Sequence, residues 1–154
     1  MLTATPKGVF SKTFEIARDG RPVCQVKQRD LREKAEVVVG GTAFVMENQL
    51  IGSDFLLRSG GRLLARAEKR TLRRAFDVTL DPEGASPRAY AFRVGGLLKS
   101  GRYDLSEAGR PVGSVTKATL GRSARATFPD DVPEAAQVFL LWIALMMWAR
   151  DRNG

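Results

Sequence analysis

The stretch that decides the fold is the last one, "PDDVPEAAQVFLLWIALMMWARDRNG", residues Pro129–Gly154, in which Val138 to Ala149 are twelve apolar residues without a break. Asp131 and Glu134 have the spacing of an acidic capping box, and Pro133 falls in the first turn, where its missing N–H costs nothing. The spacing predicts a helix over about 131–150. Its apolar residues cover every face, and such a helix must be buried in protein or in lipid. At about 1.5 Å per residue the run spans only about 18 Å, against a hydrocarbon core of about 30 Å. Trp142 and Trp148 sit six residues apart near its middle and end, which is not the two-interface aromatic belt of a spanning helix. The helix therefore reads as a buried core, with a short tail anchor as the alternative.

Upstream, short strands alternate with turn residues. In "TFEIAR", Phe14 and Ile16 alternate, Asp19-Gly20 turns the chain, and "PVCQVK" follows with Val23 and Val26 as apolar markers. That is a hairpin pattern. It recurs around Gly40-Gly41, around Gly60-Gly61 and around Gly109, while "LDPEGASPR" (Leu80–Arg88) reads as a surface loop between two further strands.

Three segments share one template: "FEIARDGRPVCQVKQRDL", "FLLRSGGRLLARAEKRTL" and "YDLSEAGRPVGSVTKATL". Each opens on an aromatic (Phe14, Phe55, Tyr103), and six residues later has a turn glycine (Gly20, Gly61, Gly109). A lysine (Lys27, Lys69, Lys117) and a leucine (Leu31, Leu72, Leu120) follow. The aromatics recur at intervals of 41 and 48 residues, within the range that marks a structural unit used repeatedly.

A meander of hairpins followed by one wholly apolar helix has a natural solution: the sheet closes into a barrel and the helix fills its lumen. In this order of elements, over "FEIARDGRPV", "FLLRSGGRLLARAEKRTLRRAF" and "YDLSEAGRPVGSVTKATLGRSARATFPDDVPEAAQVFLLWIALMMW", the chain resembles the tubby C-terminal-like superfamily, which includes the LURP-one-related proteins and the phospholipid scramblases. The resemblance spans roughly Phe10 to Arg152. It implies a mainly β fold, a closed antiparallel barrel of about twelve strands around one hydrophobic C-terminal helix, as a single domain over 1–154. It also implies phosphoinositide binding through lysine and arginine, although the family's binding motif has no residue-by-residue counterpart here.

The charges follow the repeat. The chain carries 25 basic and 17 acidic residues, a formal net charge of +8. "KQRDLREK" (Lys27–Lys34), "RAEKRTLRR" (Arg66–Arg74) and "KATLGRSAR" (Lys117–Arg125) carry net +2, +4 and +3, so all the excess positive charge sits in the same part of each unit. Gathered at one rim, Lys27, Arg29, Arg32, Lys69, Arg70, Arg73, Arg74, Lys117, Arg122 and Arg125 form a candidate anion-binding site for lipid head groups. Solvated strand faces explain the same charges equally well.

Other chemistry finds little support. With no histidine, the commonest general base and zinc ligand are missing. The lone Cys24 has no partner for an internal disulfide, and together with an N-terminus without a signal-like apolar run it leads us to expect a reducing, cytoplasmic setting. Cys24 itself reads as an inert thiol on a strand, and "GGLLKSG" (Gly95–Gly101) fails the phosphate-loop spacing. Asp130 and Asp131 are better explained by a helix start than by a metal. No enzyme, cofactor or metal is expected. The expected function is a non-enzymatic module, a monomer by default with its oligomeric state left open, that meets an anionic membrane surface or a phosphoinositide-like ligand. The alternatives are nucleic-acid binding, disfavoured because "KRTLRR" and "KATLGR" hold no aromatic for base stacking, and a purely structural barrel.

Overall fold

The computed structural model describes residues 1–9, 11–27, 34–49, 54–70, 75–95 and 101–153, which form twelve β-strands and one α-helix. In chain order these are β1 (Leu2–Pro6), β2 (Thr13–Arg18), β3 (Arg21–Lys27), β4 (Lys34–Val39), β5 (Thr42–Asn48), β6 (Phe55–Ser59), β7 (Arg62–Lys69), β8 (Ala75–Leu80), β9 (Arg88–Val94), β10 (Arg102–Glu107), β11 (Arg110–Lys117), β12 (Ala124–Thr127) and α1 (Glu134–Asn153). The strands make one antiparallel sheet in the order β3-β2-β1-β12-β11-β10-β9-β8-β7-β6-β5-β4. β1 pairs with both β2 and β12, so the first and last strands join the two halves of the meander. The edge strands β3 and β4 lie side by side, and between them the hydrogen-bonded wall is left open.

The hairpins form where the sequence places them. Asp19-Gly20, Gly40-Gly41, Gly60-Gly61 and Ala108-Gly109 all have positive φ at both positions, the two-residue turn whose twist matches that of the flanking strands. The three repeats are geometrically equivalent. Phe14 stands opposite Val26, Phe55 opposite Ala67 and Tyr103 opposite Val115. In each hairpin the register slips two residues after the aromatic, leaving Val23, Leu64 or Val112 as the extra residue of a bulge. A bulge sharpens local twist, and three of them at equivalent positions help curl the sheet around its contents.

Those contents are α1. Every residue from Ala135 to Ala149 is buried, among them Phe139, Leu141 and Ile143 at 0% exposure. The tryptophans meet the repeat aromatics: Trp142 packs edge-on against Phe55 with centroids 5.5 Å apart, and Trp148 lies 6.0 Å from Tyr103. Their six-residue spacing is thus a packing spacing, which serves two layers of the lumen.

The helix start differs from the expected capping box. α1 begins at Glu134, and Asp131 is held by Arg88 at 2.8 Å rather than by the helix backbone. Glu134 accepts from Arg18 Nε at 2.8 Å. Both carboxylates take charge-assisted bonds from guanidinium groups on β2 and β9, which are stronger than a neutral N–H bond. The buried Gln137 does the remaining work: its Nε2 donates to the carbonyl of Val132 at 2.8 Å and its Oε1 accepts from Arg18 at 2.7 Å. In sequence Gln137 only interrupts an apolar run; in the fold it ties the preceding loop to the helix.

Candidate functional site: the basic end of the barrel

In an up-and-down meander the connections alternate between ends. The tight turns after β2, β4, β6 and β10 lie at one end, together with the start of α1. The connections after β1, β3, β5, β7, β9 and β11 lie at the other, which we call the loop end. α1 runs from the turn end, where Glu134 meets Arg18, to the loop end, where Arg150 lies over the Phe55 ring at 5.5 Å. Its partly negative C-terminus therefore faces the loop end.

The two ends differ in charge. Among the described residues of the loop-end connections and the strand termini that flank them, nine are basic: Lys7, Lys12, Lys27, Lys34, Lys69, Arg70, Arg102, Lys117 and Arg122. One, Asp54, is acidic, and the last turn of α1 adds Arg150 and Asp151 to this end. The corresponding residues of the turn end number five basic and seven acidic, and most of these neutralise one another. Arg18 pairs with Glu134, Arg62 with Asp81, and Arg88 with both Glu107 and Asp131. At the loop end, among the described residues, no carboxylate pairs with Lys7, Lys27, Lys34, Lys69 or Lys117.

The candidate residues read from the sequence divide in three. Lys27, Lys69 and Lys117 are the last residues of β3, β7 and β11 and stand together at the loop end. Counted from the aromatics, Lys69 and Lys117 hold the same ladder position, whereas Lys27 falls one residue short and is exposed on the outer face. Arg70 and Arg122 share this end but have structural partners. Arg70 Nε donates to Asp77 at 2.7 Å, and that bond raises the guanidinium's pKa further. Arg122 donates to the carbonyls of Gly8 and Val9 at 2.9 and 3.0 Å and covers the Phe14 ring at 5.7 Å. Arg125 stands on the exposed outer face of β12, opposite Thr3 and Thr116, just inside the rim. Arg29, Arg32, Arg73 and Arg74 lie outside the described residues.

Lys7, Lys12, Lys34 and Arg102 join the same end without having been singled out, because none occupies the lysine position of the repeat. The signal was available in the strand count: each sits at a connection leaving an odd-numbered strand or at the start of the strand that follows.

Two other features lie away from the basic end. A mostly apolar cleft at the turn end, lined by Phe44, Leu57, Leu64, Leu80 and Ala135, has a volume of about 460 Å³ and carries only Arg62, Asp81 and Glu134 as charged groups. Arg62 and Asp81 are already paired with each other, and Glu134 with Arg18. Cys24 is half-buried, and burial, reinforced by the Glu134 carboxylate, pushes its thiol up to about 11. Since the thiolate is the reactive form and an ordinary cysteine titrates near 8.5, the smaller thiolate fraction outweighs the greater nucleophilicity of a high-pKa thiolate, and Cys24 should react with a disulfide reagent at pH 8 at least about tenfold more slowly than free cysteine. Mixing the folded protein with such a reagent and following thiolate release checks this, and a rate equal to that of the urea-unfolded chain contradicts it.

Comparison with known protein families, with curated proteins and with solved structures gives no match to this chain. No helix among the described residues is long and apolar enough to cross a membrane. Among the described residues, no group of three or more His, Cys, Asp or Glu is placed to hold a metal ion.

Proposed function

We propose that this barrel is a non-enzymatic module of tubby-like kind that binds anionic phospholipid head groups through its loop end. The observation that carries the reading is the charge asymmetry: among the described residues of the loop-end connections and flanking strand termini nine are basic and one is acidic, and no described carboxylate pairs with five of the lysines there. A lysine near an anionic leaflet contributes about 1 kcal/mol, so a handful acting together gives useful affinity without a carved pocket. The reading suits a surface ligand because the lysines end separate strands rather than converge in a cleft. Nucleic acid is the second reading, and the exposed side chains disfavour it. Among the described residues the exposed large hydrophobics are Met1, Val9, Val38 and Leu120, and none of these is an aromatic that could stack on a base.

Co-sedimentation tests the proposal, with vesicles of phosphatidylcholine alone, of phosphatidylcholine with phosphatidylserine, and of phosphatidylcholine with a phosphoinositide. A shift assay with single- and double-stranded DNA and with RNA runs beside it, across the same salt series. The expected result is pelleting with the anionic vesicles only, weakening as salt rises because the contacts are exposed charges. Tight nucleic-acid binding without vesicle binding, or binding to neither, overturns it.

A further inference from the structure

We infer that Val9 and Leu120 form a paired aliphatic tip that enters the bilayer interface and fixes the barrel loop end down on the membrane; this rests on the lipid reading above. Leu120 is 88% exposed and Val9 is 83% exposed, the two highest values for large hydrophobic side chains among the described residues. Val9 lies in the β1–β2 connection and Leu120 in the β11–β12 connection. These connections are neighbours because β1 pairs with β12. Arg122 clips them together by donating from the Leu120 loop to the carbonyls of Gly8 and Val9.

Neither tip is exposed through a lack of local structure. The Leu120 loop is closed by Ala118 N donating to the Ser123 carbonyl at 2.8 Å, and Gly121 takes the left-handed φ of 84° that lets the chain turn back. The Val9 loop is closed by Lys7 N donating to the Thr13 carbonyl at 2.9 Å and by Ser11 N donating to the Gly8 carbonyl at 3.1 Å. Single surface hydrophobics are ordinary. Two on adjacent hydrogen-bonded loops, with Lys7, Lys12 and Lys117 around them, match the chemistry of a bilayer interface: aliphatic groups at the acyl boundary and ammonium groups at head-group level. Charge complementarity selects an anionic bilayer as the occupant of this surface. Among the described residues the other exposed large hydrophobics, Met1 and Val38, lie toward the turn end, which carries more acidic than basic residues.

The test places an environment-sensitive fluorophore on Leu120→Cys in a Cys24→Ser background, with Ser86→Cys, exposed at the turn end, as the control. Phosphatidylcholine–phosphatidylserine vesicles carrying a lipid-borne quencher are added. The expected result is a blue shift and quenching for the probe at 120 and none at 86. An unlabelled Val9→Ala/Leu120→Ala protein should bind the same vesicles about tenfold more weakly with its salt dependence unchanged, since burying a Leu and a Val is worth more than the 1.4 kcal/mol of one decade. Pelleting without quenching at 120, or pelleting unaffected by the double substitution, overturns the insertion and leaves the electrostatic reading standing. Absence of pelleting by the unmodified protein overturns both.

Discussion

A chain ending at Asp130 should not fold. The helix removed from it supplies the whole inner layer of the barrel: Val138, Phe139, Leu140, Leu141 and Ile143 are each at most 1% exposed, and Trp142 and Trp148 fill the space beside Phe55 and Tyr103. Burying a Leu, Ile or Phe side chain contributes about 1.5–3 kcal/mol. Five such residues are worth on the order of 10 kcal/mol, as much as the entire stability of an ordinary domain. The strands lose as much as the helix does, because Phe14, Phe55, Phe76, Phe92 and Tyr103 point into a lumen that would stand empty or wet. A single substitution makes the graded version of the test. Phe139→Ala should lower stability by about 3–5 kcal/mol, the usual cost of deleting a buried phenyl group. Thermal unfolding and far-ultraviolet circular dichroism of the three proteins decide the matter: a truncated protein that is soluble and melts cooperatively would refute the central-helix arrangement.

How much of this was legible in the sequence depended on whether a local rule was enough. Hairpin positions were legible because Asp19-Gly20, Gly40-Gly41 and Gly60-Gly61 carry their own conformational requirement, and the template of Phe14, Phe55 and Tyr103 proved to be a template of register down to the shared bulge. The helix was legible from its composition alone. Its first turn was not, since Asp131 and Glu134 have the spacing of a capping box whether or not Arg88 and Arg18, from distant strands, claim them. The same limit applied to the charges. Sequence put Lys27, Lys69 and Lys117 at equivalent places, but that Arg122 is occupied as a clip between two loops, and Arg70 by Asp77, depends on residues 113 and 7 positions away in the chain. Basic residues outside the repeat, such as Lys7 and Lys34, needed the alternation of strand direction before they could be assigned an end.

Those partners determine which residues are worth changing. Reversing Arg70 and Arg122 would mix two effects, because one forms an ion pair and the other holds two loops in place, so a loss of binding could come from a disturbed rim. Lys27, Lys69 and Lys117 end three different strands and have no carboxylate partner among the described residues, so their substitution leaves the hydrogen-bonded frame alone. The triple variant Lys27→Glu, Lys69→Glu, Lys117→Glu should keep the melting behaviour of the parent and lose vesicle binding by at least about a hundredfold. Each removed lysine forfeits about 1 kcal/mol at an anionic surface, and each new carboxylate adds repulsion. Three residues therefore carry the change past the roughly 2.7 kcal/mol that two decades require. A reversal at the opposite end, Arg21→Glu with Arg110→Glu, lowers the charge by four where the lysine variant lowers it by six, at a place where no contact with lipid is proposed, and should leave pelleting within about twofold. Equal loss from both variants would mean that net charge alone governs the interaction and that the loop end is not the docking face. Loss confined to the lysine variant ties binding to the end of the barrel where the odd-numbered strands finish.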